Sequence, residues 1–356
     1  MIRRIRTVTV AVALLAALTG CSSAAASGTA SGSGGPATSI RVGYFDNVTH
    51  APALVGIHDG ILQKALGKTK LEPQIFSAGP AEIEALSAGA IDAAYIGPSP
   101  AINSYLQSAG ASLRIVSGAA TGGAALVVRP GIKSAADLKG KTLASPQLGN
   151  TQDVALRAWL AKHNLKTSLS GGGDVTVTPM DNAQTLALFQ KGQLDGAWLP
   201  EPWVSQLVLN AGASVLVDEA TLWPDGRFPT TVLAVSTAFL QKHPATVKAL
   251  IEGNANAVKA ISTDSASAAS AINAQLKADT GKPLADNVLA RSLKHVSFSV
   301  DPDAEAFPKL LSNAVSVGIG KNGSLRGIFD LSLLNQVLTA QGDKPISNAG
   351  LGEKSK

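Results

Sequence analysis

One phrase of this chain occurs twice, and the repetition limits the folds open to it. Gly89–Pro100 reads GAIDAAYIGPSP, and Gly192–Trp203, 103 residues later, reads GQLDGAWLPEPW. Gly, Asp and Ala recur in register, with Ile91 opposite Leu194, Tyr95 opposite Trp198 and Ile96 opposite Leu199. The helical runs in front also correspond, Ile83 and Leu86 matching Leu186 and Phe189. Each copy reads as a helix stopped by a left-handed glycine, a short strand buried on both faces, and a turn into the next helix. In the first copy Ser99 is expected to cap that helix, with Pro100 at its first position. A strand end aimed at a helix N-terminus offers free N–H groups to an anion. Two such units predict two similar α/β lobes facing a shared cleft, the plan of a hinged binding body.

The N-terminus predicts where that body works. Arg3, Arg4 and Arg6 precede an apolar run, Val8–Leu18, shorter than the ~20 residues a membrane span needs and suited to a signal-peptide core. It ends in Leu18-Thr19-Gly20-Cys21, which resembles the bacterial lipobox, and Cys21 is the only cysteine. That resemblance implies cleavage before Cys21 and a diacylglycerol on its thiol. With Cys21 so used, neither a disulfide nor a cysteine metal site is expected. Ser22–Ser39, almost all Ser, Ala, Gly and Thr, reads as a flexible tether. Loss of the leader arginines brings the formal charge of +5 close to neutral, so nucleic acid is not an expected partner.

Strands alternate with helical runs along the body: Ile40–Tyr44, Leu71–Phe76, Ile91–Ile96, Leu113–Ser117, Ala124–Arg129, Lys141–Ser145, Val175–Pro179, Val215–Val217 and Val232–Ser236. This alternation predicts parallel sheets with right-handed crossovers. Glu82 is placed to complement the charge of its helix N-terminus, and Asp181 with Gln184 to cap the helix before the second repeat. Past Pro244 the chain reads as helical to about Ala340. The expected segments are a signal peptide (1–20), lipidated cysteine and tether (21–38), first-lobe strands (39–123), a second lobe (124–237), a return to the first lobe with C-terminal helices (238–340) and a flexible tail (341–356).

The five histidines are not spaced for shared metal ligation, and neither a G-x-S-x-G elbow nor a phosphate loop is present. No metal, cofactor or catalytic residue is therefore expected. What remains are polar turns at predicted strand ends, where open α/β sheets hold ligands. Gly149 lets a ligand approach the backbone, Asn150 or Thr151 caps the following helix, and Gln152 lies in its first turn. Thr121, Gly122 and Gly123 sit at the expected first crossover as a ligand contact, a hinge or both. His50 is a candidate donor in the first strand–helix turn or else a surface residue. Trp203 is a candidate to stack on a ligand's carbon skeleton or a helix-packing residue. Arg227 is a candidate anion partner.

The runs VGYFDNVTHAPALVGIHDGIL, AGAIDAAYIGPSPAI, LGNTQDVALRAWL and LDGAWLPEPW together resemble the substrate-binding lipoproteins of bacterial ABC importers, sulfonate/taurine/nitrate class. The resemblance covers Ser39–Ser262 well and the remainder loosely. It implies a type II periplasmic-binding fold: two α/β lobes joined by two crossovers, closing on a small oxyanion. It places the ligand-lining turns at Phe45–His50 (with Asn47), Ser77–Gly79, Gly97–Ser99, Thr121–Gly123, Gly149–Gln152 and Pro200–Trp203 (with Glu201). It further implies a monomer anchored through Cys21 on the outer face of the cytoplasmic membrane, partnered by an ABC permease and without enzymatic turnover. The alternatives are a neutral or cationic ligand, such as a thiamine pyrimidine precursor or a guanidinium compound facing Glu201 and Asp181, or a ligand sensor for a membrane receptor.

Overall fold

Among the described residues eleven strands form a six-stranded and a five-stranded sheet, and apart from the extra edge strand of the first the two have corresponding orders. The computed structural model describes Gly34–Glu353, so the leader and Cys21 lie outside the described residues. In chain order the strands are β1 (Ser39–Phe45), β2 (Lys70–Phe76), β3 (Ala93–Ile96), β4 (Leu113–Gly122), β5 (Ala124–Val128), β6 (Thr142–Ser145), β7 (Thr176–Pro179), β8 (Gly196–Pro200), β9 (Ser214–Asp218), β10 (Pro229–Ser236) and β11 (Val296–Phe298). The first sheet runs β11-β4-β10-β3-β1-β2 and the second β9-β5-β8-β6-β7. The repeated phrases supply β3 and β8, which hold the same place in their sheets. β3 lies between parallel β1 and antiparallel β10, and β8 between parallel β6 and antiparallel β5.

The sheets are therefore mixed, not parallel as expected. The chain crosses between them twice, and each crossing delivers one strand that runs against its neighbours. β5 arrives from β4 and fills the second sheet; β10 returns after β9 and fills the first. Within the segment expected as the second lobe (124–237), the last strand of the second sheet ends at Asp218 and the first sheet resumes at Pro229. The strand expected to end at Ser117 runs on as β4 to Gly122, paired with β10 and β11. β11 gave no sequence signal, being three residues directly after the helix Asp286–His295.

Both faces of the second sheet are covered, as alternate residues show. Leu126, Val128 and Trp198 pack to one side and Ala125, Val127, Ala197 and Leu199 to the other. Around the first sheet a single core gathers Val42, Tyr95, Val232 and the C-terminal helices. Glu82, expected to serve its helix N-terminus, is fully buried beside Gly43 with neither carboxylate oxygen bonded, and burial holds its carboxyl well above the usual range. Asp181 is the N-cap residue of Asn182–Gln190, but its side chain makes no cap bond.

Both ends of the body are more tied than expected. Ala37 donates to Thr246 Oγ1 (2.8 Å), and the Gly35 carbonyl lies 2.8 Å from His243 Nδ1, so the last tether residues dock on the helix Pro244–Thr263. The tail expected to fray is held as far as Glu353, where Arg114 pairs with it at 2.7 Å and Gly327 donates to the Leu351 carbonyl at 2.8 Å. No helix among the described residues is long and apolar enough to cross a membrane.

At the second crossover Glu219 is buried beneath Trp198, whose indole Nε1 donates to it at 2.8 Å. Burial pushes its carboxyl up to about 7, against the pull of the Trp198 and Trp223 indoles. A carboxyl raised in the fold binds its proton more tightly there than in the unfolded chain. Its stabilising share is complete at acid pH and is lost as pH rises through about 7. Glu219→Gln should therefore match the wild type near pH 4 and exceed it in stability at pH 8 by about 3 kcal/mol, as read from urea denaturation at the two pH values.

Candidate functional site

The carboxyl ends of the parallel strands converge on one cleft, three from each sheet. From the first sheet come Phe45, Asn47, Thr49 and His50 after β1, Ser77 after β2 and Gly97 after β3, with Thr230 from β10. From the second come Asn150 and Gln152 after β6, Asn182 after β7 and Pro200 at the end of β8. Strand ends are where open α/β sheets leave room for a ligand. None of these side chains carries a formal charge.

Three of the lining side chains have their polarity set by partners that can only donate. His50 is 2% exposed and stacks on Phe45 with ring centroids 4.3 Å apart. Its Nδ1 accepts the Phe45 N–H at 3.2 Å, so the imidazole proton sits on Nε2. Burial pulls this imidazole down to about 3, which keeps it neutral. Asn47 Oδ1 accepts the Trp203 indole N–H at 2.8 Å, and Asn150 Oδ1 accepts the Thr151 N–H at 2.9 Å as the N-cap of Thr151–Lys162. In each residue the acceptor is used internally and the donor end is left over. Gln152 is buried at the same helix start, and its amide makes no hydrogen bond to another described residue.

The turn carrying Asn150 and Gln152 hangs on a buried ion pair. Asp153 Oδ1 accepts from Ser145 Oγ (2.7 Å) and Arg157 Nε (3.0 Å), while Oδ2 accepts the Gly149 N–H (3.0 Å). Both partners of the pair are wholly buried. Arg157 also reaches the Ser168 carbonyl at 2.9 Å. Gly149 takes a φ of +82, which a side chain would disfavour, so the turn bends toward the cleft.

The remaining sequence candidates fall beside the cleft, not on it. The helix after β3 starts earlier than expected, at Pro98 with Gly97 as N-cap, because Pro98 already has the fixed φ of a first helical residue. Ser99 is therefore within the first turn, and its N–H meets Thr151 Oγ1 from the other lobe at 3.3 Å. Thr121 is occupied with Phe228, donating to its carbonyl (2.6 Å) and accepting its N–H (3.1 Å), and Gly122 donates to the same carbonyl. Both belong to the crossover. Trp203 is not among the cleft-lining residues and reaches the site through its bond to Asn47. Glu201 has both oxygens engaged: Oε1 by Arg291 (3.0 Å), Oε2 by the Ser205 N–H (3.0 Å) and Ser292 Oγ (3.1 Å). Arg227 is bound to Asp303 at 2.6 Å. Asn182 and Thr230 were not foreseen. Asn182 follows the expected cap Asp181, and Thr230 precedes the expected start of β10, so neither stood out by pattern.

A roomier cavity of about 420 Å³ opens at the second crossover between Trp223 and Asp301–Lys309. Its cations are already engaged, Arg227 by Asp303 and Lys309 over the Trp223 ring at 4.1 Å, and no strand ends converge there. The smaller cleft is the better candidate. Among the described residues no group of His, Cys, Asp or Glu could hold a metal ion.

Comparison with known proteins gives a consistent picture. The NMT1-like family model matches residues 33–276. A putative binding protein of Brucella abortus is 28% identical over 60% of this chain and 63% of its own length. A putative aliphatic sulfonates-binding protein of Escherichia coli is 32% identical over 53% of this chain and 57% of its own. The chain thus spans less than two thirds of the length of each of these two relatives. The alkanesulfonate-binding protein of Xanthomonas axonopodis pv. citri, solved bound to MOPS, superposes with a TM-score of 0.67 at 24% identity, covering 81% of this chain and 96% of that one. The fold is that of the periplasmic-binding proteins.

If Asp153 holds the Gly149–Gln152 turn, its loss strands a buried guanidinium. Asp153→Ala should lose about 3–5 kcal/mol in urea denaturation, and adding Arg157→Met should recover part of that loss.

Proposed function

Because the chain belongs to the NMT1-like family, we propose that it is an extracytoplasmic solute-binding protein for a small organic anion, with an aliphatic sulfonate such as taurine or an alkanesulfonate as the preferred class. It would deliver that ligand to an ABC import permease while held on the outer face of the cytoplasmic membrane by a lipid on Cys21. The observation that carries the ligand class is the fixed polarity of Asn47, His50 and Asn150. Each uses its acceptor inside the protein and keeps a donor for the cleft. A site that offers donors and no carboxylate suits an acceptor-rich oxyanion. The names of the relatives, which include sulfonate binding, point the same way.

Binding without turnover fits this arrangement. The lobes close on the ligand, and the closed form is the one a permease would take up. A cationic ligand would need a free carboxylate at the cleft. Glu201, the nearest candidate in the sequence, is bonded to Arg291, and Asp181 does not line the site.

Isothermal titration of the full chain with ethanesulfonate, nitrate and guanidinium tests the assignment. Heat is expected with ethanesulfonate and none with guanidinium; the reverse would end the anion reading. Gln152→Glu changes only the charge of an amide without internal partners. Like charges brought together cost several kcal/mol, so this variant should bind ethanesulfonate about a hundredfold more weakly. Unchanged or tighter binding would contradict the proposal.

A further inference from the structure

A carboxylate as deeply buried as Glu201, 1% exposed, persists only where donors surround it. Two of its three donors come from one helix, Asp286–His295, which lies beyond the stretch matched by the family model. Arg291 Nη1 is shared between Glu201 Oε1 (3.0 Å) and Ser205 Oγ (2.9 Å), and the single Ser292 hydroxyl proton is shared between the Val288 carbonyl (2.8 Å) and Glu201 Oε2 (3.1 Å). Glu201 in turn donates its N–H to the Gly123 carbonyl at 2.8 Å, at the first crossover. One residue before it, Pro200 lines the cleft; two residues after it, Trp203 sets the orientation of Asn47.

The same helix reaches both sides of the cleft. It packs on Trp203–Ala211 in the second lobe and on Val48–His50, the turn that carries His50, in the first. The strand that follows it, β11, pairs with β4 through Val296 and Gly122. The helix is therefore anchored at the crossover and bonded to the turn that borders the ligand.

We propose that Arg291 and Ser292 are positioning residues for the cleft: through Glu201 they hold the Pro200–Trp203 turn, and so keep the Trp203 indole on Asn47 and the Asn47 amide donor turned to the ligand. Neither residue lines the cleft. As a statement about affinity this rests on the ligand-site reading above; as a statement about the turn it stands on the bonds alone. Removing the guanidinium leaves the Glu201 carboxylate buried without its cation. The carboxylate must then move to find other donors, and the turn moves with it.

The test uses the full chain and the indole N–H resonances of its four tryptophans. In Arg291→Met the Trp203 resonance should shift while those of Trp159 and Trp198 stay in place, and Arg291→Lys should return it most of the way. Ethanesulfonate should bind about tenfold more weakly to Arg291→Met and near normally to Arg291→Lys. Ser292→Ala, a milder change, should move the Trp203 resonance in the same direction and serves if Arg291→Met does not fold. An unmoved Trp203 resonance in Ser292→Ala and Arg291→Met overturns the brace, as does a uniform shift of all four indoles. If the wild type binds no ethanesulfonate, the sulfonate reading fails and the brace is decided by the resonance alone.

Discussion

The architecture depends on one tight passage of backbone, Gly122–Gly123, where the chain leaves the first sheet and enters the second. Both residues have positive φ, +79 and +76, a region that L side chains rarely adopt. Space excludes side chains as firmly. A Cβ on Gly122 would lie 2.9 Å from the His295 carbonyl oxygen, and one on Gly123 would meet Val296 Cγ2. Because this passage is short, β4 and β5 follow one another almost without a break yet lie in different sheets. The second crossing is bound to the first where Thr121 meets Phe228.

The cleft holds its polarity by an economical device. A histidine and two asparagines could each face a ligand with either end. Here a backbone N–H, an indole N–H and another backbone N–H choose for them, since none of those partners can accept. The result is a concave surface of oriented donors without a cation. Under the function proposed above, such a surface would hold an oxyanion with no ion pair to be broken on release. The charged groups nearby are turned to structure: Asp153 with Arg157 holds one wall, and Glu201 with Arg291 the other.

How much of this was legible in the sequence follows from the range of the forces involved. The repeat was readable because its punctuation is local: Gly89 and Gly192 both take positive φ. Asn47, His50, Gly97, Asn150 and Gln152 could be placed at the cleft because they stand at strand ends within a few residues of a turn signal. Glu201 could not be placed correctly, since its cation lies 90 residues further along and no local pattern announces it. Trp203 was legible as a large amphipathic side chain, but its hydrogen bond to Asn47 depends on the two lobes meeting. Strand direction was misjudged for a similar reason. Which sheet a strand joins is decided by the crossings, and periodicity within the strand is silent about that.

The central claim is that the cleft presents fixed, neutral donors, and His50 is where it can be examined most directly. We would record the imidazole nitrogen resonances of His50 in the full chain from pH 5 to pH 8, with and without ethanesulfonate. The account predicts a neutral ring with its proton on Nε2 over the whole range, and movement of that N–H when the sulfonate is added. A ring that titrates with a midpoint near 6.5, or one protonated on Nδ1, would contradict it.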